Sequence, residues 1–181
     1  FEFSVADGKE DGVVVITAQT FSIAITQVNQ APVIVTNTGI TLDEGGSTTI
    51  ATANLNTTDV DDTAAELTYT VTKLPTNGAL QLSGTIIALN GTFTQADVDG
   101  NALTYTHDGS QSTADGFEFS VADGKEDGVV AITAQTFSIA ITQVNQAPVI
   151  TTNTGVTLNE VFSETIATVN LQTTDVDDTA A

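Results

Sequence analysis

The sequence predicts an all-β protein built from repeated antiparallel sandwich modules. Three observations carry that prediction. The first is a period of two: Leu67-Thr68-Tyr69-Thr70-Val71, Leu103-Thr104-Tyr105, Phe117-Glu118-Phe119-Ser120-Val121 and Phe137-Ser138-Ile139-Ala140-Ile141 each alternate apolar with polar or small residues. Successive side chains of a strand point to opposite faces, so such a run lays one apolar face on a core. Close to a fifth of the 181 residues are Thr, a β-branched type that suits a half-buried pleated surface, and no stretch carries an apolar stripe of helical period. The second observation is punctuation. Asp-Gly pairs begin at Asp7, Asp11, Asp99, Asp108, Asp115, Asp123 and Asp127, and Asn-Gly pairs at Asn77 and Asn90. These pairs reach the positive φ that tight turns require.

The third observation is an internal repeat. Residues 1–30 return as 117–146 with one change, Val15 against Ala131, and residues 31–65 return as 147–181 with eight changes. The period of 116 residues is too long for a solenoid unit and right for a domain. The cut falls before Ala31-Pro32 and Ala147-Pro148. This divides the chain into the C-terminal part of one repeat (1–30), a complete repeat (31–146) and the N-terminal part of a third (147–181). The expectation is a tandem array that runs on in both directions. Seven or so short strands per period read as an immunoglobulin-like antiparallel β-sandwich, with a β-barrel as the alternative. Its core is expected to hold Leu67, Tyr69, Leu103, Tyr105, Phe117, Phe119, Val121, Ile139 and Ile141.

Composition narrows the function. Three Lys, no Arg and 23 acidic residues give a net charge of −20. Ordinary nucleic-acid binding is excluded and anionic membrane surfaces are disfavoured, because phosphate contacts need basic residues. No apolar run approaches the length of a membrane span, so no membrane insertion is expected in this segment. The absence of Cys excludes disulfides and thiolate chemistry. The sequence holds no Met, no signal peptide is expected within it, and it reads as a piece of a longer protein. With one His and no Cys, few nucleophile–base pairs can be assembled, and the chain is not expected to be an enzyme.

The acidic residues fall in clusters. Asp59, Asp61 and Asp62 form one, repeated as Asp175, Asp177 and Asp178; Asp97 and Asp99 form a second; Asp123 ends a strand; and Glu44, with its counterpart Glu160, follows each linker. An isolated Asp-Gly reads as a solvated turn. The Asp59–Asp61–Asp62 triple reads as a metal site, since its carboxylates repel and the sequence supplies almost no cation to offset them. Ca²⁺, which takes six to eight oxygen ligands, fits such a set better than Mg²⁺. An EF-hand reading of Asp97-x-Asp99-x-Asn101 fails because Ala102 stands where Gly is needed. His107 reads as a strand-end residue.

These motifs, in this order, carry a resemblance. Val28-Asn29-Gln30-Ala31-Pro32-Val33 is similar to a cadherin interdomain linker. Asp59-Val60-Asp61-Asp62 is similar to the cadherin Asp-x-Asp calcium element, Phe117 to Asp123 to the late strand that ends on a calcium-binding Asp, and Glu44 to an early Glu ligand. The stretch from Leu67 through Pro75-Thr76-Asn77-Gly78, Phe93-Thr94-Gln95-Ala96-Asp97-Val98-Asp99-Gly100 and Leu103-Thr104-Tyr105-Thr106-His107-Asp108-Gly109-Ser110 resembles the chondroitin sulfate proteoglycan repeat, a cadherin-like module of giant bacterial surface adhesins. The linker departs from the pattern, reading Gln27-Val28-Asn29-Gln30 where cadherins are acidic, and the Leu-Asp-Arg-Glu element is absent, which leaves Asp97 and Asp99 to stand in for it.

The resemblance implies calcium at domain ends. One junction would draw on Glu44, Asp97, Asp99, Asn145, Asp175 and Asp177; the other would use Asp59, Asp61 and Asp123. The expected function is an extracellular structural repeat of a surface adhesin, stalk or fibre on a bacterial cell. Neighbouring repeats, and other copies within a fibre, would be its partners. A self-assembling filament subunit and a carbohydrate- or ice-binding module are the alternatives.

Overall fold

The computed structural model describes residues 2–5, 16–26, 28–124 and 131–178. In chain order the first strands are β1 (Glu2–Val5), β2 (Ile16–Thr20), β3 (Val33–Asn37), β4 (Ile40–Asp43), β5 (Ser47–Thr49) and β6 (Leu55–Thr58). Then come β7 (Thr68–Lys73), β8 (Gly78–Leu82), β9 (Thr85–Ile86), β10 (Thr92–Thr94) and a single turn of helix, α1 (Gln95–Asp99). The last are β11 (Leu103–His107), β12 (Ala114–Ala122), β13 (Ile132–Thr142), β14 (Val149–Asn153) and β15 (Leu171–Thr174).

Two sheets form the sandwich. One has the order β10-β7-β12-β13-β4 and the other β5-β11-β8-β9, with β3-β6 as a separate pair. The alternation seen in the sequence does the packing. Along β12 and β13, Phe117, Phe119, Val121, Phe137, Ile139 and Ile141 are buried while the residues between them face outward. Leu80, Leu103 and Tyr105 meet them from the second sheet. Every residue expected in the core is buried. Ring pairs tighten the contact: Tyr69 stacks on Phe93 at 4.7 Å and Phe117 on Phe137 at 5.1 Å, spacings at which aromatic pairs add to simple burial.

Three features differ from the sequence expectation. The pair β13·β4 is parallel, Ile139 lying beside Ile40 and Ile141 beside Leu42. A parallel pair cannot be closed by a hairpin, so its two members come from opposite ends of the repeat. Asp115-Gly116 is not a turn but lies inside β12. Gly116 is needed there because a Cβ would sit 2.6 Å from the Phe137 carbonyl oxygen. Helix α1 escapes notice because one turn has no periodicity to read; its signal is the capping box Thr94-x-x-Asp97. Asp7, Asp11 and Asp127 lie outside the described residues.

The sheet register defines two poles. Ala122, Thr68 and Thr94 share one edge of the five-stranded sheet, next to Asp123 and α1. Ala114 and Thr142 mark the other edge, where β4 delivers Glu44. A nine-residue strand separates the poles, about 26 Å at 3.3 Å per residue.

Gly116→Ala is expected to cost about 1–3 kcal/mol in urea unfolding, because β12 and β13 must part to admit the methyl group. Unchanged stability would show that the strands separate freely.

Candidate metal site at the linker pole

Strand β6 ends at Thr58 and hands the chain directly to Asp59, so the acidic loop starts from a fixed point. That point is set by a buried polar network. The Tyr69 hydroxyl lies 2.6 Å from Thr57 Oγ1 and 2.6 Å from Gln95 Oε1. An amide oxygen only accepts, so the phenol donates to Gln95 and the Thr57 hydroxyl donates to the phenol. Gln95 Oε1 also accepts from Thr57 N at 2.8 Å, and Gln95 Nε2 donates to Asp99 Oδ1 at 2.8 Å. Burial holds the Tyr69 phenol protonated, its pKa pushed up to about 12. One side chain from α1 thereby ties β6, β7 and Asp99 together.

Beyond this brace, Asp59, Asp61 and Asp62 each place a carboxylate oxygen within 4.8 Å of the others. Asp61 N donates to Asp59 Oδ1 at 3.0 Å, which curls the loop, while the buried Oδ2 of Asp59 has no hydrogen-bond partner among the described residues. Asp61 is pushed above the ordinary carboxylate range, first by loss of water and then by Asp59 and Asp62; the Gln30 amide, 3.3 Å away, opposes this. From the linker, Asn29 Nδ2 reaches Asp123 Oδ2 at 2.9 Å. A shallow cavity of about 180 Å³ opens beside the loop, lined by Asp59, Asp62 and Asp99. The linker pole therefore gathers Asp59, Asp61, Asp62 and Asp99, with Asp123 close by through Asn29. The same loop geometry recurs at Asp177, whose N donates to Asp175 Oδ1 at 3.0 Å and whose buried Oδ1 has no partner among the described residues.

Other expected ligands are placed elsewhere. Asp97 Oδ2 accepts from Thr94 N and Thr94 Oγ1, both at 2.7 Å, and is the capping residue of α1. Asp97 and Asp99 stand at the pole opposite Glu44, so the three cannot share one junction. The Glu44 carboxylate is taken up by amides: Gln111 Nε2 at 2.7 Å, Gln146 Nε2 at 2.9 Å and Val144 N at 3.4 Å. Asn145 donates to the Gln146 carbonyl at 3.1 Å, within the linker itself.

Three further residues have structural roles that the sequence reading did not assign to them. Gln95 is one; its signal was only its place behind a capping Thr. His107 is the second: it ends β11 as expected, its buried Nδ1 accepts from Gly45 N at 3.0 Å and Gly109 N at 3.2 Å, and Nε2 meets Ser112 Oγ at 2.9 Å, so one imidazole staples two loops. Asp115 is the third. It lines the larger cavity, about 400 Å³, yet its oxygens are used by Thr76 N, Asn77 N and the Tyr105 hydroxyl, a structural brace. Burial pushes the Asp115 carboxyl up, but those donors outweigh it and hold the group below 3.8.

A cadherin-like family profile matches residues 32–141. The chain belongs to the cadherin-like family. Its sandwich is a cadherin-like β-sandwich, and it is 32% identical over 98% of its length to human Extracellular matrix organizing protein FRAS1. It is 35% identical over 86% of its length to Extracellular matrix protein 3 of the sea urchin Lytechinus variegatus, and 35% identical over 58% to human Chondroitin sulfate proteoglycan 4. The cadherin-like chain spans only 4–5% of the length of these relatives. They are extracellular matrix or cell-surface proteins, none named for a reaction, and among the described residues no helix is long and apolar enough to cross a membrane.

Tyr69→Phe is expected to destabilise the domain by about 1–3 kcal/mol, since Thr57 and Gln95 each lose a buried partner; chemical denaturation measures it. Asp115, with its lowered folded pKa, contributes stability that is present above 3.8 and lost as pH falls through the lower folded value. Asp115→Asn should flatten the acid limb of a stability–pH curve in that window, and an unaltered limb would place the acid sensitivity elsewhere.

Proposed function

We propose that the chain is an extracellular structural repeat of a long surface adhesin, stalk or fibre, of the kind built by bacteria, and that Ca²⁺ held at the linker pole stiffens it. Residues 31–146 would be one module, with 1–30 and 147–181 belonging to its neighbours. The observation that carries this reading is the Asp59–Asp61–Asp62 cluster at the mouth of a linker, with a buried Asp59 oxygen that no donor among the described residues satisfies. A buried carboxylate oxygen without a donor is costly, and a divalent cation removes both that cost and the mutual repulsion of the loop.

The donor set is all oxygen, as hard Ca²⁺ requires. Asp59, Asp61 and Asp62 would hold the ion, with Asp99 across the cavity and Asn29 and Asp123 completing the linker side. Calcium would supply charge neutralisation and rigidity, not chemistry. The chain's own residues do the rest: the Tyr69–Gln95 brace fixes the loop, and the Gln30 amide attaches the linker to Asp61.

Unfolding in EDTA and then across a calcium titration tests this, with magnesium as control. A hundredfold excess over Kd should add about 2.7 kcal/mol. Asp59→Asn with Asp61→Asn should abolish the gain, and acidification should weaken it earlier than for an ordinary Asp site because Asp61 takes its proton at higher pH. A melting temperature indifferent to calcium would end the metal assignment and leave an acidic spacer held by its core.

A further inference from the structure

We propose that Gln146 is a metal-independent clamp between successive repeats, joining the Glu44 carboxylate of one to the Asp177 carboxylate of the next. Gln146 Nε2 donates to Glu44 Oε1 at 2.9 Å, and Gln146 N donates to Asp177 Oδ2. Both ends of the clamp are held. Glu44 N donates to the Thr142 carbonyl at 2.8 Å, and its side chain also accepts from Gln111 and Val144. Asp177 is set by its own N–H on Asp175. The first linker repeats the second half of the arrangement, since Gln30 N donates to Asp61 Oδ1 at 3.3 Å.

The residue type explains the device. Two carboxylates facing one junction repel, and a cation is the usual remedy. A glutamine offers N–H donors from its side chain and from its backbone while carrying no charge. One such residue satisfies an acid on each side and adds nothing to the net charge of −20. An acidic residue at the same place would be a third negative charge and would make the junction depend on metal. Pro148, two residues later, restricts the backbone of Ala147 to extended conformations, so the clamp has few conformers to select from. The clamp's donors belong to the linker and carry no charge; its Asp177 acceptor lies in the counterpart of the Asp59–Asp62 loop, and the clamp is expected to hold with calcium removed.

The test is pulsed electron–electron distance measurement on the full chain in EDTA. The chain has no Cys, so spin labels at Ala140→Cys and Gln172→Cys, both exposed strand positions, report the junction alone. The expected result is a narrow distance distribution for the parent chain and one roughly twofold broader for Gln146→Ala, Gln146→Glu and Glu44→Ala. The melting temperature should stay within about 2 °C, since no core contact is lost. A parent chain already as broad as Gln146→Ala, or a Gln146→Ala chain as narrow as the parent, overturns the clamp. Calcium is absent from every arm, so this outcome is separate from that of the calcium titration.

Discussion

The hydroxyl of Tyr69 is the point on which the linker pole depends. It lies in the core between the sheets, 2.6 Å from partners on β6 and α1, and through Gln95 it reaches Asp99. A buried polar group without partners costs more than its hydrogen bond returns, so this network is stabilising only because every member is satisfied. Its completeness is what lets a solvent-facing acidic loop start from a rigid base. Without it, β6 would have no fixed end and the Asp59–Asp62 loop no defined geometry.

The second constraint is charge. Among the described residues the one Lys–carboxylate pair, Lys73 with Glu118 at 3.3 Å, is exposed and contributes little. The structure manages its acidic groups by giving them amide and hydroxyl donors. Asp97 caps a helix, Asp115 braces a turn, Glu44 collects three amides, and Asp123 takes Asn29. What stands out against that pattern is Asp59, whose buried Oδ2 receives no donor among the described residues. The calcium reading rests on this contrast more than on the abundance of acid.

The two ends of the repeat divide the labour. The linker pole carries the carboxylate cluster, and the opposite pole carries Glu44 and the His107 staple, about 26 Å away along β12. A junction therefore joins unlike surfaces, and identical modules can add head to tail. In the proposed shaft, the repeated linker and acidic loop would let one kind of junction recur along the array.

The sequence by itself determined the all-β class, the 116-residue period and the core residues from Leu67 to Ile141, because strand alternation and repetition are local and survive without coordinates. It also singled out Asp59, Asp61 and Asp62, since adjacent like charges without cations are visible in one dimension. The tertiary structure alone decided the rest. The parallel β4·β13 pair joins residues about a hundred positions apart, and no local pattern encodes it. Asp97 and Asp99 looked like partners of Glu44, but register puts them at opposite poles. Gln95, Gln146 and His107 carry no charge signal in a sequence dominated by acid. Their roles come from which donors the fold brings within about 3 Å, and that is a property of packing, not of spacing along the chain.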